Sequence, residues 1–252
     1  MKKLYTKEKF KTKEEWLSAR GFGGSSASAL LDLNPHQTKM DIYLSSINPM
    51  DRKDKSGNNA TTKYGHDCES LIANIVKLNL AGKYDVQPTK GYVMYRRKDK
   101  PYITATLDGT ILELYEVEGT EVCDKYVLEI KTHIVQNKAD YDEWKSGKLP
   151  MNYLIQCIHY MMCLVDFKGV LLVAKLMWLD YDTGLPRTAK DGTGEELLYY
   201  WIERKDYLKD IEYLEQVETD FQINHIEKRI PPDIDLPILG KEEDNGESNS
   251  VE

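Results

Sequence analysis

Two acids and a lysine carry the spacing of a hydrolytic site. Asp108 lies in an extended run just before Gly109, and twenty-one residues later Glu129 and Lys131 flank Ile130 inside the apolar segment 127–130. Side chains alternate along a strand, so Glu129 and Lys131 project from one face. A half-buried carboxylate is costly unless it is paired or holds a cation. Pairing the two strands as a hairpin brings Asp108 beside Glu129. Two carboxylates and the Ile130 carbonyl then offer hard oxygen ligands to Mg²⁺. Such an ion polarises a scissile phosphate and lowers the pKa of a bound water. Lys131 could orient that water or stabilise the developing negative charge. Glu-x-Lys by itself is most often an ordinary ion pair on an edge strand, and Asp-Gly by itself a turn. Only the constellation points to phosphodiester hydrolysis.

The elements that must position these residues follow from local pattern. Segment 12–20 reads as a short helix with Thr12 as N-cap and Glu15 completing a capping box. Gly21, Gly23 and Gly24 break it, and Ser25 or Ser26 caps a second helix over 27–33, ended by Asn34-Pro35. Segment 38–47 suits another helix, and 50–62 is polar, without periodicity, and reads as a mobile loop. Over 64–80 Leu71, Ile72, Ile75, Val76 and Leu78 recur at helical spacing, and Gly82 ends the run. Short strands follow at 84–86, 91–96, 103–107 and 110–114. The acidic segment 113–124 reads as a hairpin turn, and 126–132 returns as a strand. Helices are expected at 140–144 and 152–164, a central strand at 170–179, a turn around Gly184 and 192–194, a strand at 196–204 and an amphipathic helix at 206–224. The order implies an α/β domain with a mixed central sheet flanked by helices. One domain over 1–239 and a disordered acidic tail over 240–252 are expected.

Bulk properties narrow the class. The chain has 252 residues, 41% apolar and 30% charged, enough for a normal core. No apolar run reaches the roughly 20 residues of a membrane span, and the lysine-rich start has no following apolar stretch of a secretory signal. The four cysteines show neither paired nor zinc-like spacing and read as reduced thiols of a cytoplasmic protein. Net charge is −8, which suits no protein coated by nucleic acid, but the charge is uneven. Residues 1–13 carry six Lys and one Glu, whereas 113–124 carry five acids and no base. Lys138, Lys145, Lys148 and the amino-terminal lysines are the candidates to face DNA.

In chain order, further motifs surround the triad: WLSARGFGGSS with Trp16, Arg20, Gly23, Gly24 and Ser25; YGHDCES with Gly65 and Glu69; TATLDG; LEIK; and YLIQCIHYMM with Gln156, His159 and Met161. The D…ExK hairpin resembles the core of the PD-(D/E)XK nucleases, and the set over residues 12–180 resembles the YqaJ-type viral recombinases, to which phage lambda exonuclease is related. The gap from Arg20 to Gly23 is about two residues shorter than usual there. The resemblance implies that Glu69, Asp108, Glu129 and Lys131 are catalytic, that Asp108, Glu129 and the Ile130 carbonyl hold Mg²⁺ (with Mn²⁺ as a substitute), and that Arg20, Ser25, Thr106 and Gln156 contact DNA. A helix start at Ser25 between glycines is also a natural phosphate site. Gln156 could alternatively orient Lys131 or be a satisfied buried amide, and His159 reads as helix packing.

The resemblance further implies 5′-to-3′ digestion of linear double-stranded DNA to leave 3′ single-stranded tails, a homotrimer, a phage single-strand annealing partner, and a phage or prophage origin in a bacterial cytoplasm. The competing readings are an endonuclease or RecB-like repair nuclease, and a DNA-end-binding module that kept the fold without catalysis. The intact triad argues against the latter.

Overall fold

The computed structural model describes residues 3–52, 60–178 and 195–233. Its elements are β1 (Tyr5–Phe10), α1 (Lys13–Ala19), α2 (Gly24–Leu30), α3 (Lys39–Ile47), α4 (Ala60–Asn79), β2 (Tyr84–Pro88), β3 (Tyr92–Arg97), β4 (Thr104–Ala105), β5 (Gly109–Val117), β6 (Thr120–Ile134), α5 (Lys138–Lys145), α6 (Met151–Cys163), β7 (Gly169–Met177), β8 (Glu195–Glu203) and α7 (Leu208–Phe221), which runs on into one π-helical turn. No helix among them is long and apolar enough to cross a membrane.

The main sheet has the order β2-β5-β6-β7-β8. Its pairs are antiparallel except β6–β7, which is parallel. Parallel neighbours need a crossover, and α5 with α6 supplies it. Alternation along the strands sorts two cores. Leu128, Ile130, Leu171 and Val173 face α4 with Ile72 and Val76, while Val127, Val170, Leu172 and Ala174 face α6 with Ile155, Ile158 and Met162. A smaller sheet, β1-β3-β4, packs into that second core through Tyr5, Val93 and Tyr95. The fold is therefore the expected mixed α/β arrangement with helices on both faces.

Several local expectations change. The lysine-rich start forms β1, paired antiparallel to β3. Only Tyr5 of it is buried, so its alternation is hidden under Lys7 and Lys9. Glu15 reaches back to the Lys11 N–H, one residue beyond the expected capping-box partner, while Thr12 caps the Glu15 N–H as expected. α2 begins one residue before Ser25, with Gly23 as N-cap, and stops at Leu30. The acidic segment is not a loop. β5 and β6 continue pairing to Val117↔Thr120, and only Glu118 (φ 51°) and Gly119 (φ 77°) turn the chain. Two residues with positive φ match the twist of a tight hairpin. On α4, Ile72 and Val76 are buried but Leu71 and Leu78 are 63% and 76% exposed, so the apolar stripe is wider than its partner surface. Of the loop expected at 50–62, residues 53–59 lie outside the described residues, but its ends are regular: a 3-10 turn over Pro49–Asp51 and the first turn of α4 from Ala60. The turn expected at 184–194 and the acidic tail also lie outside the described residues.

Candidate active site

The site forms where β6 loses a neighbour. β5 starts at Gly109 opposite Leu128, so from Glu129 onward the β5-side edge of β6 is open. Asp108, the residue before β5, fills the first gap: its Oδ2 accepts the Ile130 N–H at 2.7 Å. The N–H and C=O of a strand residue point to the same side, so the Ile130 carbonyl faces that edge too.

Glu129 is 3% exposed. Its Oε1 accepts from Lys131 Nζ at 2.6 Å and from Gln156 Nε2 at 2.6 Å. Gln156 also donates to the Tyr160 hydroxyl at 2.6 Å. The Lys131 ammonium lies 5.1 Å from the centre of the Tyr153 ring. Burial works against the lysine's charge, yet the attraction of Glu129 and Asp108 outweighs it and raises the pKa. Asp108 is the opposite case. Burial, then the negative charges of Glu129 and Glu69, push its pKa well above the carboxylate range, against the pull of Lys131 and the Ile130 N–H. Glu69 is raised as well, mainly by burial, with His66 opposing.

Glu69 arrives from α4 because of a glycine. A Cβ at Gly65 would stand 2.8 Å from Thr132 Oγ1, so only glycine lets this turn of α4 lie on β6. One turn later Glu69 comes within electrostatic reach of Glu129 and Lys131, while its carboxylate sits 3.1 Å from His66 Nδ1. A second glycine seats α2 on α6: a Cβ at Gly24 would come 2.8 Å from the Tyr160 ring and 2.9 Å from Gln156 Cγ.

Arg20, after α1, stacks its guanidinium 4.9 Å from the Trp16 ring centre. Burial lowers its pKa, and Tyr160 partly offsets this. Its main-chain carbonyl accepts from Arg52. The structure thus brings Glu69, Asp108, Glu129 and Lys131 together at the open edge of β6, with Gln156 of α6 against Glu129 and Arg20 within electrostatic reach of Tyr160 on the same helix. Thr106 is half-buried two residues before Asp108, and Ser25 is exposed in the first turn of α2. Gln156 spends its amide on Glu129 and Tyr160. Tyr160 and Tyr153 escaped the sequence reading, although Tyr160 follows Gln156 by four residues and therefore shares its helix face. Two of the lysines expected to face DNA are tied to acids, Lys145 to Glu196 and Lys148 to Glu143.

Among the described residues no three His, Cys, Asp or Glu side chains stand ready as a metal cage, since Glu69 is turned to His66 and Glu129 to Lys131. The donor set nevertheless suits a hard divalent cation. It is all oxygen, and the burial and the repulsion from Glu129 and Glu69 that lift Asp108 are both offset by a bound cation.

A family profile described as the YqaJ-like viral recombinase domain matches residues 15–166. YqaJ of Bacillus subtilis is 26% identical over 155 residues, 60% of this chain, and the match spans 42% of that relative's own length. The alkaline exonuclease LHK-Exo from Laribacter hongkongensis is similar in structure, with a TM-score of 0.53 at 16% identity over 86% of this chain and 94% of that one. LHK-Exo in complex with dAMP gives 0.53 at 13% identity, over 86% and 95% of the two chains. At such identities these structures speak for the fold.

Proposed function

This chain belongs to the YqaJ-like viral recombinase family, and on that premise we propose that it is a metal-dependent exonuclease acting on linear double-stranded DNA. The observation that carries the proposal is the cluster of Asp108, Glu129 and Lys131, with Glu69 behind it, at the open edge of β6. In this reading Asp108, Glu129 and the Ile130 carbonyl hold Mg²⁺, or Mn²⁺ in its place, and Glu69 completes the negative surround. When bound, the ion would polarise the scissile phosphate and make a bound water acidic.

The chain's own groups do the rest. Lys131, kept charged by its two acids, orients the attacking water and neutralises charge that develops on the phosphate. Gln156 and Tyr160 fix the Glu129 carboxylate. Arg20, stiffened by its stack on Trp16, grips a phosphate of the substrate, and Ser25 and Thr106 add hydroxyls to the same strand. LHK-Exo is an alkaline exonuclease described with dAMP. Carried to this chain, that supports stepwise release of mononucleotides.

Digestion in the 5′-to-3′ direction, 3′ single-stranded tails for phage-type recombination, a homotrimer and a single-strand annealing partner belong to the same proposal. The test is digestion of linear duplex carrying a 5′ phosphate and one labelled end, with Mg²⁺, with EDTA, and with Lys131→Ala. Metal-dependent mononucleotide release from the 5′-phosphorylated strand, absent in the variant, is the expected result. Tight end binding without cleavage by the wild type would replace the nuclease by an end-binding module.

A further inference from the structure

One fully buried ion pair lies outside this machinery. His159 of α6 and Glu218 of α7 are both 0% exposed. His159 Nδ1 is 2.7 Å from Glu218 Oε1, and Nε2 is 2.9 Å from the Thr104 carbonyl oxygen. A carboxylate and a main-chain carbonyl are both acceptors, and a neutral imidazole has one N–H. With Glu218 ionised, two bonds of this kind need a proton on both ring nitrogens, whereas a protonated Glu218 would leave the ring with one. Burial opposes a charge on the ring, but the Glu218 carboxyl against Nδ1 and the Thr104 carbonyl against Nε2 outweigh it and raise the His159 pKa.

The residue this pair grips is a junction. The Thr104 N–H donates to the Phe22 carbonyl at 2.9 Å. Its hydroxyl donates to the same oxygen at 3.1 Å and accepts the Gly21 N–H at 3.1 Å. Gly21 and Phe22 directly follow Arg20, and Thr104 leads through Thr106 to Asp108. Three residues before His159, on the same helix, Gln156 holds Glu129.

We propose that His159, held as an imidazolium by Glu218, is a positioning residue that fixes Thr104 and thereby sets both Asp108 and the Arg20 loop against the Gln156–Glu129 contact of α6 with β6. The inference rests on the nuclease reading only for what the positioned groups do. Placement matters because an ångström of error at a reacting centre costs on the order of a hundredfold in rate.

The test is NMR of the full chain with ¹⁵N-labelled histidine, together with the amide signal of Ile130, whose N–H reports Asp108. In the wild type both ring nitrogens of His159 should be protonated at neutral pH. In Glu218→Gln the new carboxamide can donate to Nδ1, so a neutral ring keeps the Thr104 bond and the Ile130 amide stays in place. In Glu218→Leu and His159→Gln the Ile130 amide should move, and nuclease activity should fall by about tenfold or more, with the Glu218→Gln variant close to wild type. A single ring proton in the wild type, or an unmoved Ile130 amide in folded Glu218→Leu, overturns the proposal. Neither readout involves cleavage. A confirmed pair in a protein that cuts no DNA would therefore sink the nuclease reading alone.

Discussion

The Gln156 amide nitrogen lies 2.6 Å from Glu129 Oε1, so a helix distant in sequence orients the carboxylate of the β6 strand. Loss of that donor leaves the Glu129 carboxylate held only by Lys131 and Tyr160. Gln156→Leu is expected to weaken Mn²⁺ binding by about 10–100-fold, the usual effect of removing a group that orients a metal ligand. Isothermal titration calorimetry reads this directly. An unchanged affinity would make Gln156 a packing residue.

Lys131 is the cation paired with buried Glu129, and the nearby acids keep it charged. Lys131→Met should cost about 10²–10³-fold in kcat if the ammonium stabilises developing charge. It should also lower the metal-free stability, because it leaves a buried carboxylate unpaired. Saturating Mg²⁺ should restore part of that stability, since a ligand of the native state stabilises it. Denaturation curves with Mg²⁺ and with EDTA test both statements, and equal losses in the two conditions would count against metal binding next to Lys131.

The raised pKa of Asp108 gives a sign to the pH dependence. Its native value lies well above the ordinary 3.8, so the native state holds this proton more tightly than the unfolded chain. That contribution to stability is complete below about 3.8 and is lost as pH rises through the native pKa. In EDTA, stability should therefore increase on acidification from neutral pH across that window, and Asp108→Asn should flatten the slope. With Mg²⁺ the trend should reverse, because metal binding requires the ionised carboxylates. Thermal midpoints over pH, with and without metal, separate the two cases.

Gly65 decides how closely α4 approaches β6. Alanine in a helix normally gains up to about 1 kcal/mol over glycine. Here the added Cβ would stand 2.8 Å from Thr132 Oγ1, and overpacking costs about 1–3 kcal/mol. Gly65→Ala is expected to destabilise and to reduce activity by moving Glu69, whereas Gly65→Ala with Thr132→Ala should recover stability. Urea denaturation of both variants is the check, and a more stable single variant would refute the close approach.

The tip of the β5–β6 hairpin holds a non-glycine residue, Glu118, at φ 51°. Asparagine tolerates this conformation better and suits the first position of such a turn. Glu118→Asn should stabilise by about 0.5–1 kcal/mol without altering activity, as a shift in the urea midpoint at constant slope would show.

Local signals in the sequence determined much of this protein. The alternation of Glu129 and Lys131, the glycine-punctuated start, the cap at Thr12 and the helical period over 64–80 depend on neighbours a few residues apart, and such signals survive in a linear chain. The strand β1 was hidden because exposed lysines mask its alternation, and the acidic arm read as a turn because charge marks exposure and not backbone form. Tertiary structure alone decided the rest. That β5 begins opposite Leu128, leaving Glu129 at an open edge, is a matter of register. That Gln156 reaches Glu129, Gly65 meets Thr132 and His159 bridges Glu218 and Thr104 depends on contacts between residues 27 to 67 positions apart. Those distances are closed by packing of the whole core, and no periodicity along the chain encodes them.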